Sequence, residues 1–435
     1  MSLVSLVRQQ LEPWLTAKRW VIAFSGGVDS VALLSAVAAM RQQQVTPPLV
    51  ALHIHHGLQA TAEAWPAFCQ QLATALGVEF SWRQVQVDQR LASVEQAARD
   101  ARYRGFSEFV QPGEVLLTGH HLDDQAETVL FRALRGSGVL GLAAMPVQRP
   151  LAAGQLVRPL LQVSKQQLEH YVRAQGLSWV EDPSNLSDSY DRNFIRNQVI
   201  PLLTQRWPQA TQSLARVAQH SAEAQQLLDE LAAQDLQQAQ LAPAFSWLSL
   251  PSLDLTVIQQ LSTARQKNLL RYWLRDFSLM PDTAHWQGWF DLRDAQPDKN
   301  PLWRLAGGQV QRYQQRLYWL SNAWLQAAPF RAFDLGQQTE WTTPQGLVQL
   351  TGVTPLARPQ FRISTRQGGE RLQLAGRGQR DLKRLLQEVQ LPSFLRDRIP
   401  LLWHQQQLVA VANFPQLTAA GFESLEFCWQ PWPVF

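Results

Sequence analysis

Cysteine is nearly absent from this chain. Only Cys69 and Cys428 occur among 435 residues. That excludes a disulfide framework, and no Cys-x-x-Cys or Cys/His cluster offers a zinc site. Long apolar runs are missing too. None reaches membrane-spanning length, and the opening MSLVSLVRQQ lacks the apolar stretch of a signal peptide. Net charge is small: 39 basic against 35 acidic residues leave +4, too little to identify a nucleic-acid partner from the total alone. These absences predict a protein of the reducing cytoplasm with no membrane partner. What is present is apolar mass. A hydrophobic content of 46% with 17 Trp supports real cores, and the length predicts two to three domains.

Residues 21–30 read VIAFSGGVDS. A mostly apolar run enters a Gly-Gly turn and leaves on the helical pattern VALLSAVAAM. Glycines let backbone N–H groups approach an anion, and the next helix presents its positive end. Ser25 and Ser30 add hydroxyl donors. No Gly-Lys-Ser/Thr ending follows, so this is not the loop that serves γ-phosphoryl transfer. The six residues Ser25, Gly26, Gly27, Val28, Asp29 and Ser30 resemble the SGGxDS PP-loop of ATP pyrophosphatases. That resemblance implies a grip on pyrophosphate while the α-phosphorus of ATP is attacked.

Strand patterns fall at 21–24, 48–54, 80–87 and 114–119, separated by helical patterns at 30–43, 61–76 and 94–110. Alternation of this kind predicts an α/β fold, a Rossmann-like doubly wound parallel sheet with its ligand at the carboxyl ends of the strands. Two capping boxes are expected, Ser93 with Gln96 and Ser164 with Gln167. The domain division read from the chain is 1–215 for the ATP-binding catalytic part, 216–328 for a helical part and 329–435 for a smaller α+β part.

Three motifs belong at the strand ends. HIHHG (53–57) closes the second strand, so His53 and His56 are expected to line the nucleotide pocket. His55 and His56 are neighbours on a strand and face opposite ways, which disfavours a metal site. EQAARDARYRGF (95–106) sets Glu95, Arg99 and Arg102 roughly on one helix face, with Tyr103 and Phe106 paired at i, i+3. An arginine pair there can hold phosphate or carboxylate bidentately. TGHHLDDQAETVLFRALRGSG (118–138) ends a strand at Gly119 and His120, both expected at the nucleotide, and opens a helix near Asp123. Asp123, Asp124 and Glu127 crowd its first turns. They satisfy the helix dipole, and beside a triphosphate they are candidates for Mg²⁺. Arg132 and Arg135 lie further down the helix, within expected reach of phosphate.

SGGVDS, HIHHGL, EQAARDARY, TGHHLDDQAET and RGSG, then RPLL (158–161) and EDPSNLSDSYDRNFIRNQVIPLL (181–203), occur in the order found in tRNA(Ile)-lysidine synthetases. The chain resembles that family over roughly 1–215. The resemblance implies ATP-dependent joining of L-lysine to carbon 2 of the wobble cytidine in an isoleucine tRNA, through an adenylated cytidine. AMP and pyrophosphate are released. Charge builds around the α-phosphorus and pyrophosphate, so donors and Mg²⁺ are the main need. The implied catalytic residues are Asp29, Asp124, Arg99 and Arg102. The lysine ammonium must lose a proton, and Asp29 is placed ahead of Asp124 as acceptor, although spacing alone does not decide between them. Asp-Pro-Ser-Asn (182–185) is a turn signal. Arg192 and Arg196 beyond it are expected to contact tRNA or ATP phosphate from a covering loop.

The second half carries a long helical pattern over 211–241, about 45 Å if unbroken, and a shorter one over 262–275 with Leu269, Leu270, Trp273 and Leu274 as core. From about 330, FRIST (361–365), LVAVANF and LEFCW read as strands. Between 366 and 398 lie eight basic and four acidic residues, an excess equal to that of the whole chain. Arg377, Arg380, Lys383 and Arg384 are its candidates for tRNA phosphate. GGERLQL, GRGQRDLKRLLQE and PSFLRDRIPLL also resemble the C-terminal domain of the longer lysidine synthetases. Two rival readings are another PP-loop activity on tRNA, such as thiolation, and a non-catalytic tRNA-binding protein. The first usually needs paired cysteines, and the second leaves the intact loop and its carboxylates unused.

Overall fold

The computed structural model describes residues 2–55, 57, 63–87, 94–279, 281–296, 299–354 and 357–432. His56 and Ser93, both singled out above, lie outside them. The chain forms two compact units, Met1–Leu227 and Leu228–Phe435.

In chain order the first unit contains α1 (Leu3–Leu11), β1 (Trp20–Ala23), α2 (Val28–Arg41), β2 (Leu49–His55), α3 (Trp65–Ala75), β3 (Glu79–Gln84), α4 (Val94–Phe109), β4 (Val115–Leu117), α5 (Leu122–Leu134), α6 (Val139–Leu142), β5 (Gln148–Leu151), β6 (Gly154–Val157), α7 (Lys165–Ala174), α8 (Asp191–Phe194) and α9 (Ile200–Arg206). A long helix, α10 (Ala210–Ala239), follows and carries the chain across the boundary between the units. Its 30 residues give the length of about 45 Å that the pattern predicts.

Six strands form one sheet in the order β3-β2-β1-β4-β6-β5. The first five are parallel neighbours, as the alternation of patterns predicts. β5 pairs antiparallel with β6 and forms an edge hairpin that the sequence reading does not include. Pro150 lies in β5 and lacks an N–H, which an edge strand tolerates. The short turn between these strands holds Ala152 at φ 47°.

Alternation along the strands divides the core between the two faces of the sheet. Trp20, Ile22, Leu49, Ala51, Val115 and Leu117 pack on one side with α2, the most heavily buried helix of the unit. Val21, Val50, Leu52, Ile54, Leu116 and Leu156 pack on the other with Phe106 and Val110. Burial on both faces explains why these strands are continuous apolar runs. α7 starts on the expected capping box: Ser164 Oγ accepts from Gln167 N, and Ser164 N donates to Gln167 Oε1 at 2.9 Å.

The second unit is β-rich around helices. Ser252–Asp254, Arg316–Ser321, Gly308–Tyr313 and Leu302–Leu305 form an antiparallel sheet in that order. The helix Thr263–Leu274 buries Leu269, Leu270, Trp273 and Leu274, the residues its pattern marks as core. The expected strands appear as Phe361–Ser364, Gln407–Val411 and Glu426–Pro431. One apolar core runs through this unit from Ala239 to Trp429. Cys69 is buried and Cys428 exposed, and both are free thiols. Among the described residues no helix is long and apolar enough to cross a membrane.

Candidate active site

β1 ends buried, with Phe24 N donating to Leu52 O at 2.8 Å, and the chain turns sharply through Ser25-Gly26-Gly27 into α2. Gly26 has φ +86°, and a Cβ there would lie 3.0 Å from Cys69 Sγ. Backbone strain and packing therefore both require glycine. The serines brace the turn from within. Gly26 N donates to Ser30 Oγ (3.1 Å), Gly27 N to Ser25 Oγ (3.3 Å), and Ser30 Oγ to Gly27 O (2.9 Å). Val180 N donates to Gly26 O at 2.9 Å and ties the covering segment to the loop.

Above this turn opens a cavity of about 620 Å³, within the size range of small-ligand sites. Ser25, Gly27, Asp29 and Ser30 form its floor, and His53 and His55 close one side. His53 Nδ1 lies 2.9 Å from Phe24 O, which fixes the ring. Arg99, Arg102 and Tyr103 of α4 form another wall, and Thr118, Gly119 and His120 a third. Gly119 is needed because a Cβ would meet the Asp29 carbonyl carbon and oxygen at 3.0 Å. Asp124, Asp182, Arg192 and Arg196 complete the lining.

The structure gives the three carboxylates of α5 different surroundings. Asp123 accepts from Lys165 N at 2.8 Å and, like Glu127, is not part of the cavity wall. The Glu127 carboxylate is taken up by guanidinium groups: Arg192 Nε at 3.0 Å, Arg196 Nε at 2.6 Å and Arg196 Nη2 at 2.9 Å. Asp124 faces the cavity, but its Oδ1 also accepts from Arg192 and Arg196, each at 3.1 Å. Among the described residues no three His, Cys, Asp or Glu side chains converge to hold a metal ion. Of the three expected metal ligands, Asp123, Asp124 and Glu127, only Asp124 lines the cavity. Two arginines neutralise the inner carboxylates, and a backbone amide takes the outer one.

His121 is the residue that sequence reasoning passed over. Its ring lies 3.5 Å from Asp29 Oδ1, 3.5 Å from Asp123 Oδ2 and 3.6 Å from Asp124 Oδ2. Burial opposes its charge, but the field of Asp124 and contacts with Asp123 and Asp29 outweigh that and raise it to about 10. Its neighbour behaves oppositely. Burial lowers His120 to about 3, the charges of Arg158, Arg192 and Arg99 adding to this against Asp124. Thr118 Oγ1, 2.8 Å from His120 Nδ1, holds the neutral ring. Burial would raise Asp124, yet His121, Arg192, His120 and Arg196 pull it well below the usual carboxylate range. The signal for His121 was present in the His-His pair before two aspartates, but which histidine turns inward depends on the entry into α5.

Arg192 and Arg196 stand four residues apart where α8 runs into a π turn over Ile195–Val199, and they reach the same carboxylates. Both arginines are ion-paired, and both line the cavity. Arg132 donates to Gly141 O and Ala144 O, each at 2.9 Å, and so holds the segment around α6. In the second unit Arg377, Arg380, Lys383 and Arg384 are exposed, on a hairpin (Gly378–Asp381 against Arg371–Leu374) and the helix Leu382–Glu388. Only Arg377 of these four is ion-paired among the described residues, to Glu388 at 2.7 Å.

Three family models match this chain: a PP-loop domain over residues 3–203, a TilS substrate binding domain over 253–318 and a TilS substrate C-terminal domain over 361–426. The chain is 52% identical over 429 residues to the tRNA(Ile)-lysidine synthase of Pseudomonas syringae pv. tomato, covering 97% of this chain and 94% of that one. It is 48% identical to the enzyme of that name from Pseudomonas aeruginosa (99% and 97% covered). Against the one from Escherichia coli O157:H7 the figure is 37% (96% and 97% covered). With identity of this degree over nearly the full length of each relative, and a PP-loop turn opening onto a charged cavity, the chain belongs to the tRNA(Ile)-lysidine synthase family.

Proposed function

We propose that the protein joins L-lysine to carbon 2 of the wobble cytidine of an isoleucine tRNA, with ATP, releasing AMP and pyrophosphate. The observation that carries this reading is one cavity lined by the SGGVDS turn, by Asp29 and Asp124, and by Arg99 and Arg102. Ser25, Gly26, Gly27, Val28 and Ser30 cradle the pyrophosphate end of ATP at the start of α2. His53, Gly119 and His120 flank the nucleotide; His56 shares that assignment from its motif alone. Oxygen 2 of cytosine is a poor leaving group until it carries AMP. Arg99 and Arg102 suit the charge that gathers at the α-phosphorus during both steps.

Mg²⁺ is the expected companion of ATP. Asp29 Oδ1 is buried without a hydrogen bond and Asp124 lies on the same cavity wall. These residues would hold the ion, with phosphate oxygens and water as its other ligands. When bound, it supplies positive charge to the departing pyrophosphate. The lysine ammonium loses its proton before attack. Asp124 is committed to two guanidinium groups and His121, which makes it a weak acceptor. Among the described residues Asp29 has a single ion pair, to His121, and the proton is assigned to it. Residues 1–215 form the catalytic part in this reading, and 216–328 and 329–435 grip the tRNA through phosphate contacts, including Arg377, Arg380, Lys383 and Arg384. The setting is the cytoplasm. Incubating the full chain with ATP, each labelled amino acid and total tRNA, then analysing the nucleosides, tests the assignment. Lysidine from lysine alone is expected, and transfer of a different amino acid or of none overturns it.

A further inference from the structure

Carboxylates account for Arg192 and Arg196, but a second group of arginines lacks any ion pair among the described residues. Arg99, Arg149 and Arg158 gather around Tyr103. The guanidinium carbons of Arg99 and Arg149 lie 5.1 and 5.0 Å from its ring centroid. Arg158 is 3% exposed. Its Nη1 donates to Pro146 O at 2.6 Å, while its Nε is buried without a hydrogen bond. The Tyr103 hydroxyl is likewise buried and lacks a well-formed hydrogen bond. Arg149 belongs to β5 and Arg158 follows β6, so the edge hairpin brings both to Tyr103, which with Arg99 lines the cavity from α4.

Each guanidinium is attracted to the ring face, but like charges gathered this closely repel one another without an anion between them. The titration of the group reflects this. Burial would raise the Tyr103 phenol, but Arg99, Arg158 and Arg149 together lower it. Burial, with Arg149 and Arg99, lowers Arg158 against the opposing pull of Tyr103. A tetrahedral oxyanion that takes several N–H donors at once would relieve the crowding, and phosphate fits guanidinium forks best. The triphosphate of ATP already has the β1–α2 turn. Of this cluster Arg99 and Tyr103 line the cavity from α4, and the hairpin sets Arg149 against the same tyrosine from behind that wall.

We propose that Arg149, Arg158 and Arg99, set around Tyr103, form a phosphate subsite for a backbone phosphodiester of the anticodon loop next to the target cytidine. The subsite rests on the lysidine-synthase reading and adds to it the residues that seat the RNA strand. Its role is to fix the nucleotide's backbone so that carbon 2 meets the adenylation centre.

The test uses the full-length chain with Arg149→Gln and Arg149→Lys, each first shown to unfold cooperatively. Binding of isoleucine tRNA is titrated against salt without ATP, and ATP binding is measured without tRNA. For Arg149→Gln the tRNA affinity is expected to fall roughly tenfold. Its log-affinity against log-salt slope should shrink by about 0.7, the value for one single-strand phosphate. Arg149→Lys keeps the slope and recovers part of the affinity. ATP binding is unchanged in both. An unchanged tRNA affinity and slope in Arg149→Gln overturns the subsite, and so does a loss of ATP affinity in its place, which would assign the phosphate to ATP. Should Arg149→Gln fail to fold, Arg149→Lys decides: wild-type affinity in it overturns the need for a guanidinium fork. Lysidine formation by the unmodified chain, run alongside, separates the two claims. If lysidine forms while Arg149→Gln binds tRNA normally, the subsite falls and the activity stands. If the unmodified chain neither binds tRNA nor makes lysidine, both fall.

Discussion

In the first unit Arg192 and Arg196 are locked onto Asp124 and Glu127, with the Glu127 side chain only 3% exposed. In the second unit Arg380, Lys383 and Arg384 stand in solvent on a hairpin and a short helix, with no acidic partner among the described residues. The chemistry of the side chains is nearly the same, but their surroundings give them different work. A guanidinium held by buried carboxylates is fixed in direction and difficult to remove. An exposed one contributes attraction that reaches outward and fades with salt. Even the basic block is mixed in this respect. Arg396 donates to Leu391 O, and Arg398 donates to Leu325 O and stacks 4.0 Å from the Trp324 ring centroid. Charge counted along the sequence therefore overstates the charge offered to a partner.

The contrast can be broken most sharply at the cavity floor. Asp29→Asn is expected to cut lysidine formation by about 10³-fold while tRNA binding stays near normal. Full activity in that variant removes Asp29 from the chemistry and dissolves the division between a reacting unit and a gripping unit. Next in size is the ion-paired core. Glu127→Gln leaves two guanidinium groups short of charge and is expected to destabilise the first unit by ~3 kcal/mol. Glu388→Gln, which releases the half-exposed Arg377, should cost under about 1 kcal/mol. Calorimetry on the two variants compares them directly, and equal losses would contradict the distinction.

Reversing charge at Arg377, Arg380 and Arg384 should weaken tRNA binding and flatten its salt slope by up to about 0.9 for each phosphate that is no longer neutralised. ATP affinity and melting temperature should not move. A slope that stays put makes this block an ordinary solvated surface. The smallest effect separates the adjacent histidines. His120 is lowered to about 3 and His121 raised to about 10. Below its unfolded pKa near 6.5, the unfolded chain takes a proton that native His120 refuses, so stability falls as pH drops from about 6.5 toward 3. Native His121 holds its proton above 6.5, so its contribution is complete below that pH and is lost as pH rises through 10. His120→Asn should flatten the acid side of the stability profile and His121→Gln the alkaline side. The opposite pairing would reverse the two protonation states.

Much of the parallel sheet was legible because β1, β2 and β4 are buried on both faces and read as apolar runs bounded by turns. The edge hairpin was not. Gln148–Leu151 carries a proline and exposed polar residues, so no periodicity marks it as a strand. At the site, the loop from Ser25 to Ser30 could be placed because glycine and serine at fixed spacing have few other uses. The division of labour among Asp123, Asp124 and Glu127 was illegible. It depends on Arg192 and Arg196, some 65 to 72 residues away in sequence, and on Lys165, whose amide takes Asp123. Local spacing shows that acids crowd a helix start. It does not show which of them another element will claim.

The π turn over Ile195–Val199 bears on how this site can vary. A helix that closes from i to i+5 accommodates an extra residue in its turn, as Ile200 N bonding to Ile195 O shows. Deleting one residue there would restore ordinary α geometry and rotate everything beyond it by about 100°, one residue's share of an α-turn. Arg192 precedes the turn and would keep its grip on Glu127. Arg196 lies inside it, and removing Ile195 would set it three residues after Arg192 instead of four, which changes its angle of approach to both carboxylates. Substitutions change what the turn carries, whereas a one-residue indel changes where it delivers its arginine. At this point the number of residues matters as much as the identity of any one of them.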